Sequence, residues 1–285
     1  MHVLCVYAIF KNESHIMKEW LDHYIREGVD HFYLIDNGST DNYKHILENY
    51  KGRITLFHDP EKGHKVQGKI YHRNIFPVFK DTIWMLCVDL DEFMYSKTGT
   101  LKSELEKKEY ENVGQIMVPW KMFGSSGHVK QPDSVIKSFL YRKQLPFQCF
   151  GNYKTICRTE SIDDIDGVHW YEHVKDGYRT IKYPEQSELS EDDQKDIPFQ
   201  LNHYIVQSWE WYKNTKMTRG DSNFENNGRT EESFKEWDNN DVLDDELSLK
   251  SIGSISYLNI FIIVMVMVMV AFLFFMAPLL RSLFL

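Results

Sequence analysis

The chain has 285 residues, with 33 Lys and Arg against 42 Asp and Glu, and 42% apolar residues that include 18 Phe, 16 Tyr and 7 Trp. That supply of core material excludes a disordered chain, and 15 Gly with 8 Pro exclude collagen-like or linker character. The net charge of −9 excludes a nucleic-acid-coating protein, which needs a basic face, and is compatible with a nucleotide held through a metal ion.

The first element is a continuous apolar run, Val3 to Phe10, which predicts a strand buried on both faces. Glu13 to Glu27 follows, with Ile16, Trp20, Tyr24 and Ile25 near helical spacing and Gly28 as a stop. His31 to Ile35 predicts a second strand and Tyr43 to Tyr50 a second helix. Arg53 to His58 reads as a strand, 65–79 as a helix, and Thr82 to Val88 as a fourth strand. Strands alternating with helices at these intervals predict an α/β fold with a mostly parallel, Rossmann-type sheet flanked by helices. Ligands in such sheets gather at the carboxyl ends of the strands. Lys11-Asn12-Glu13, Asp36 to Asp41 and Asp89 to Phe93 all fall there.

The second half is less regular. Val113 to Trp120 predicts a strand and Gly124 to Gly127 a loop. Lys137 to Arg142 suits a strand or a short helix, and Asn202 to Gly220 contains an amphipathic helical stretch. Nine acidic residues between Glu225 and Glu246 predict an acidic linker. Four cysteines, Cys5, Cys87, Cys149 and Cys157, are too few and scattered for a disulfide framework, so reduced structural thiols are expected.

Asp89-Leu90-Asp91-Glu92-Phe93 is the sharpest local feature. Carboxylates at i and i+2 past a buried strand converge on one side of the chain and suit Mg²⁺ or Mn²⁺ with a phosphate. Alone, such a pair also fits a solvated acidic turn. Asp36-Asn37-Gly38-Ser39-Thr40-Asp41 fits a turn with Thr40 or Asp41 as helix cap, and Asp36 also suits a base or ribose.

Taken in order, Lys11-Asn12-Glu13, Glu19-Trp20-Leu21, Gly28 to Tyr33, Asp36 to Asp41 and Asp89 to Phe93 resemble a nucleotide-sugar glycosyltransferase of the GT-A fold, similar to the family 2-like and family 92-like groups. Trp120-x-x-Phe123-Gly124-Ser125-Ser126-Gly127 continues the pattern. So do Lys154 to Arg158, His169, and Asn202-His203-Tyr204 with Ser208, Glu210, Lys216, Arg219 and Gly220. The resemblance spans about residues 3–221. It implies a nucleotide-diphosphate sugar as donor, Mn²⁺ or Mg²⁺ as cofactor, and a glycan, protein or lipid hydroxyl as acceptor.

It also implies roles. Asp36 would contact the nucleoside near the Lys11 to Glu13 loop, with Asp41 closing the same motif. Asp89 would face the ribose or a metal-bound water, and Asp91 would ligate the metal. His169 is the first choice to complete the metal site, with His173 and His203 as alternatives; His203 could instead bind the acceptor. Lys154 and Arg158 would support the phosphates. If the reaction inverts configuration a carboxylate base is needed, and Glu172, Asp166 and Asp221 are all open.

Two other readings compete. A haloacid-dehalogenase-type phosphatase also places Asp-x-Asp after a buried strand, but needs Thr or Val where Phe93 stands and uses its first strand. An inactive, membrane-anchored binding protein is the other. A Rossmann dehydrogenase lacks its GxGxxG here.

Ile260 to Ala277 has no polar side chain; eighteen helical residues span roughly 27 Å, the thickness of a bilayer core. The expectation is a domain over 1–221, a linker over 222–257 and a single transmembrane helix over 258–280 acting as a tail anchor. Asn12 and Asn37 begin the two N-x-Ser/Thr sequons, inside ligand motifs, and no leader-like segment is read at Met1. Both points favour a cytosolic catalytic domain.

Overall fold

The computed structural model describes residues 1–63, 66–148, 151–165, 167–185, 188–220 and 228–253. They fall in two compact units, Met1–Asp244 and Asp245–Leu285; the described part of the second is helical over 246–253.

The first unit opens with β1 (His2–Phe10), α1 (Ser14–Arg26), β2 (His31–Asp36), α2 (Tyr43–Leu47), β3 (Ile54–His58), α3 (Val66–Asn74) and β4 (Thr82–Cys87). These strands lie in the order β3-β2-β1-β4, all parallel, with Tyr7 opposite both Tyr33 and Cys87. The apolar runs of β1, β2 and β4 are buried almost throughout, as strands covered on both faces are, whereas β3 at the sheet edge stays partly exposed. The helix expected over 65–79 stops at Asn74. Pro77 follows at the start of a tight 3₁₀ turn, Phe76–Asp81, because proline lacks the N–H that would continue the helix.

α1 shows why its sequence matters for the site. Ile16, Met17, Trp20, Leu21 and Tyr24 are buried on one stripe. From that stripe the Trp20 indole donates to the Asp89 carbonyl at 3.0 Å and the Tyr24 hydroxyl to the Glu92 carbonyl at 3.1 Å. The helix therefore clamps the Asp89–Asp91 turn. It ends at Gly28, whose φ of +90° is costly for any residue with a Cβ, and a Cβ there would stand 2.6 Å from Lys102.

Beyond the Asp89–Asp91 turn come β5 (Glu92–Ser96), α4 (Leu101–Leu105), β6 (Val113–Met122), α5 (Val135–Ser138), β7 (Tyr141–Arg142), β8 (Phe147–Gln148) and β9 (Tyr153–Arg158). β10 (Arg179–Lys182), β11 (Glu188–Leu189), α6 (Glu191–Asp196) and β12 (Phe199–His203) follow. β9 runs antiparallel between β4 and β6; β12 lies parallel to the end of β6 and antiparallel to β5. The expectation of a mostly parallel sheet therefore holds for the first four strands, and the whole is mixed α/β.

Two other expectations change. Asn202 and His203 end a strand, and only Trp209–Lys216 is helical, as α7 (Trp209–Trp211) widening into a π turn over Tyr212–Lys216. The acidic stretch is not a bare linker. It carries α8 (Glu231–Trp237) and β13 (Val242–Leu243), which pairs with β7. Asp238 accepts hydrogen bonds from Ser125 at 2.6 and 3.0 Å, and Asp244 bridges the Lys121 ammonium and the Arg142 guanidinium at 2.8 and 2.7 Å. Those acidic side chains have specific partners on the domain, which composition alone does not reveal. The span expected over 258–280 lies outside the described residues; among those described, no helix is long and apolar enough to cross a membrane.

Candidate active site

A cleft of about 530 Å³ opens where the carboxyl ends of β1 and β4 meet β6 and β12. Asp89 and Asp91 line it, with Lys11 and Glu13 after β1, Asn37 after β2, and His169 and His203 from the second half. Asp89, Asp91 and Glu13 each have a cation set against them. The Lys154 ammonium lies 2.8 Å from Asp89 Oδ2, and that of Lys216 lies 2.7 Å from Asp91 Oδ2. Glu13 pairs with the Arg219 guanidinium, which also donates to the Lys11 carbonyl at 2.9 Å.

Glu92 braces this turn from beneath. Its fully buried carboxyl accepts the Asp89 backbone N–H at 2.8 Å and stands 3.4 Å from Lys154. Burial pushes the Glu92 pKa well up, against the opposing pull of Lys154. Burial would lower the Lys154 pKa, but Asp89 and Glu92 outweigh it and hold the ammonium charged. Burial would likewise raise Asp91, yet Lys216 and His203 keep its carboxyl well below the usual carboxylate range. A fixed charge pair at each aspartate is the result.

The histidine beside Asp91 is His203, whose Nε2 lies 3.6 Å from Asp91 Oδ1. Burial lowers its pKa, favouring a neutral ring with a lone pair to offer. His169, the first choice from sequence, lines the same cleft and packs on Trp120, whose ring centroid is 5.5 Å from that of His169 and 4.4 Å from that of His203. The His169 Nδ1 donates to the Tyr153 carbonyl at 3.0 Å, and burial followed by Lys154 pushes its pKa down to about 4.

Among the described residues no group of three or more His, Cys, Asp or Glu could hold a metal ion. Asp91 and His203 nonetheless form a fitting two-donor set, one carboxylate oxygen and one imidazole nitrogen, which borderline cations accept. The remaining positions would fall to water and phosphate oxygens.

Several expected residues stand elsewhere. Asp36 is consumed internally, accepting from the Ser39 N–H at 2.7 Å and the Tyr43 hydroxyl at 2.9 Å with His58 Nδ1 at 3.0 Å. Its neighbour Asn37 lines the cleft instead. Asp41 accepts the Ser14 N–H at 2.8 Å and so braces the start of α1. Arg158 is four residues from Lys154, about 13 Å along a strand. Because β9 runs antiparallel to β4, Arg158 lies opposite Trp84, its guanidinium 4.4 Å from that ring, at the end away from the cleft. Glu172 and His173 are exposed and do not line the cleft. Tyr171 takes the inward position, its hydroxyl 2.9 Å from that of Tyr7. Asp166 and Asp221 lie outside the described residues.

Sequence reasoning gave no role to Lys216 or Arg219, and missed Glu92 and the wall formed by Arg229, Glu236 and Trp237. The available signal was Trp237 inside an acidic stretch, since a true solvated linker has little use for a large apolar ring.

The family model of glycosyltransferase family 92 matches residues 1–248, past the expected domain end at 221. A glycosyltransferase family 92 protein of Ricinus communis is 25% identical over 219 residues, covering 74% of this chain and 37% of its own length. One from Oryza sativa subsp. japonica is 24% identical over 220 residues, covering 74% and 35%. The chain thus spans little more than a third of the length of these curated relatives. Among solved structures, S. aureus TarS aligns with a TM-score of 0.40 at 14% identity, over 71% of this chain and 60% of that one.

Proposed function

The chain belongs to glycosyltransferase family 92, and from that premise we propose that its cleft moves a sugar from a nucleoside-diphosphate sugar to an acceptor hydroxyl. That membership displaces the phosphatase reading. The observation that carries the proposal is the pair Asp89 and Asp91 at one cleft with Lys11, Lys216 and Arg219 around them. Breaking a sugar–phosphate bond leaves charge on the diphosphate, and fixed cations in a partly dry cleft stabilise it better than water does.

In this reading Asn37 and the Lys11–Glu13 loop receive the nucleoside end of the donor. Lys11 and Arg219 face the phosphates. A divalent ion, held by Asp91 and His203, would supply Lewis-acid charge at the leaving diphosphate. The acceptor, a glycan, protein or lipid hydroxyl, enters beside α8. Among the described carboxylates of the cleft, Glu13, Asp89 and Asp91 are ion-paired and Glu236 is in no ion pair, so Glu236 is assigned as the base for an inverting transfer. Glu236→Gln should lower transfer by ~10²–10⁴-fold with nucleoside-diphosphate affinity unchanged. Full transfer by that variant would remove Glu236 from the mechanism.

Lys11 gives the site a pH signature. Burial, then Lys62 and Arg219, bring its pKa down to about 8. The ammonium is charged below that pH and lost above it, so diphosphate binding should weaken as pH rises through 8. A titration of diphosphate affinity against pH checks this; the Lys11→Met variant should show the weaker affinity throughout and a flat profile across that range.

The general test is to incubate the whole chain with Mn²⁺ and a panel of nucleotide sugars and measure which nucleoside diphosphate is released. No release from any donor, with or without candidate acceptors, would overturn the transferase reading. The apolar span over 258–280 is read with it as a membrane anchor, the domain on the cytosolic side; protease protection of sealed microsomes tests that side.

A further inference from the structure

We propose that Lys216 is the resident cation of the Asp91 carboxylate and releases it to a divalent ion only when a nucleoside diphosphate offers the ammonium a new partner. The inference rests on reading the cleft as a donor site and concerns the order in which that site fills.

The geometry is close. Lys216 Nζ lies 2.7 Å from Asp91 Oδ2 and donates to the Ile205 carbonyl at 2.7 Å. The two side chains are 5% and 7% exposed, so water can do little to screen the pair. The other oxygen of Asp91 faces His203. The Asp91 carboxylate is therefore already faced by an ammonium at hydrogen-bond distance. A dication arriving alone would meet that ammonium at close range, with Arg219 and Arg229 adding positive potential at Lys216. Like charges repel far more strongly in such a cleft than in bulk water.

A diphosphate reverses this balance. Its negative charge offsets the repulsion, and its oxygens offer Lys216 an acceptor to replace Asp91. Lysine suits such an exchange, because its three donors sit on a flexible stem and can be re-aimed without moving the backbone. A guanidinium holding a carboxylate by two parallel bonds would be harder to redirect. The consequence is positive coupling between metal and diphosphate, and linkage requires the coupling to be the same in both directions.

The test measures Mn²⁺ binding by the electron paramagnetic resonance of free Mn²⁺, alone and with saturating uridine or guanosine diphosphate, corrected for the Mn²⁺–nucleotide complex in solution. For the wild-type chain, a diphosphate should tighten Mn²⁺ at least tenfold, and Mn²⁺ should tighten that diphosphate by the same factor. Lys216→Met should bind Mn²⁺ alone at least tenfold more tightly than wild type, with the coupling largely gone. Lys216→Arg keeps the charge and should keep bare Mn²⁺ weak. Lys216→Met binding Mn²⁺ no more tightly than wild type overturns the proposal, as does a wild-type chain that binds Mn²⁺ equally well with and without diphosphate. Should Lys216→Met fail to fold, Lys216→Arg binding bare Mn²⁺ tightly overturns it. A wild-type chain that binds neither diphosphate under any of these conditions fails differently: it removes the donor-site reading and this inference with it.

Discussion

Asp91→Asn is expected to lower turnover about a thousandfold, equivalent to ~4 kcal/mol of transition-state stabilisation, while leaving a folded domain. Asn keeps the shape of the side chain and an oxygen for the Lys216 ammonium 2.7 Å away, so the buried lysine retains a hydrogen-bond partner. What disappears is the negative charge set between Lys216 and His203. In the proposed reading a divalent ion would lose the anionic partner of His203 among the described residues, and a diphosphate would face cations that are no longer balanced. Turnover should fall in steady-state assays while the circular dichroism spectrum stays native. A fully active Asp91→Asn protein would show that the cleft does its chemistry without this carboxylate.

Asp244→Ala carries the largest expected loss of stability, about 3–5 kcal/mol, because removing one partner of a buried ion pair leaves the other uncompensated. Here two cations would be stranded. The Lys121 ammonium and the Arg142 guanidinium both end on Asp244 Oδ2, and Arg142 retains only Glu191, a half-exposed side chain, as an ionic partner. Chemical denaturation measures the effect as a drop in unfolding free energy. Burial would raise the Asp244 pKa, but Lys121 and Arg142 outweigh it and hold the carboxyl low. With the folded pKa below the unfolded value of about 3.9, the contribution is present above that pH and is lost as pH falls below it. The Asp244→Asn variant should therefore lose less on acidification than wild type does. A denaturation midpoint unmoved by either substitution would refute the role of this three-residue bridge.

Both predictions depend on residues that the sequence presents very differently. Asp91 stands after Trp84-Met85-Leu86-Cys87-Val88, a run whose only plausible fate is a buried strand, so its place at a sheet edge could be read directly. Asp244 stands in a run of acidic residues, and the expected linker was the natural reading. The two cations that give Asp244 its role, Lys121 and Arg142, are 123 and 102 residues away in the chain. No local pattern encodes a contact at that separation.

The same distinction sorts the candidate ligands. The Lys154 side chain reaches the Asp89 turn and Arg158 does not, although the two are four residues apart, because β9 runs antiparallel to β4 and carries its carboxyl end away from the cleft. His203 rather than His169 reaches Asp91 because β12 pairs with both β6 and β5, which returns its last residue to the start of β5. Asp36, a sound candidate by position, is tied up by Ser39 in the loop after β2, Tyr43 of α2 and His58 of β3.

What the sequence by itself determined was the order of the first seven elements, the position of Asp89 and Asp91 at the carboxyl end of a buried strand, and the resemblance to the family. Those features rest on local periodicity and on apolar runs, whose structural outcome depends on neighbouring residues alone. Only the tertiary structure decided which cation answers each carboxylate, which histidine stands beside Asp91, and that residues 228–244 pack on the domain as a wall of its cleft. Ion pairs and metal ligands are set by distances of a few ångströms between residues far apart in sequence, and strand direction fixes those distances. Composition and spacing carry no record of strand direction in the irregular second half.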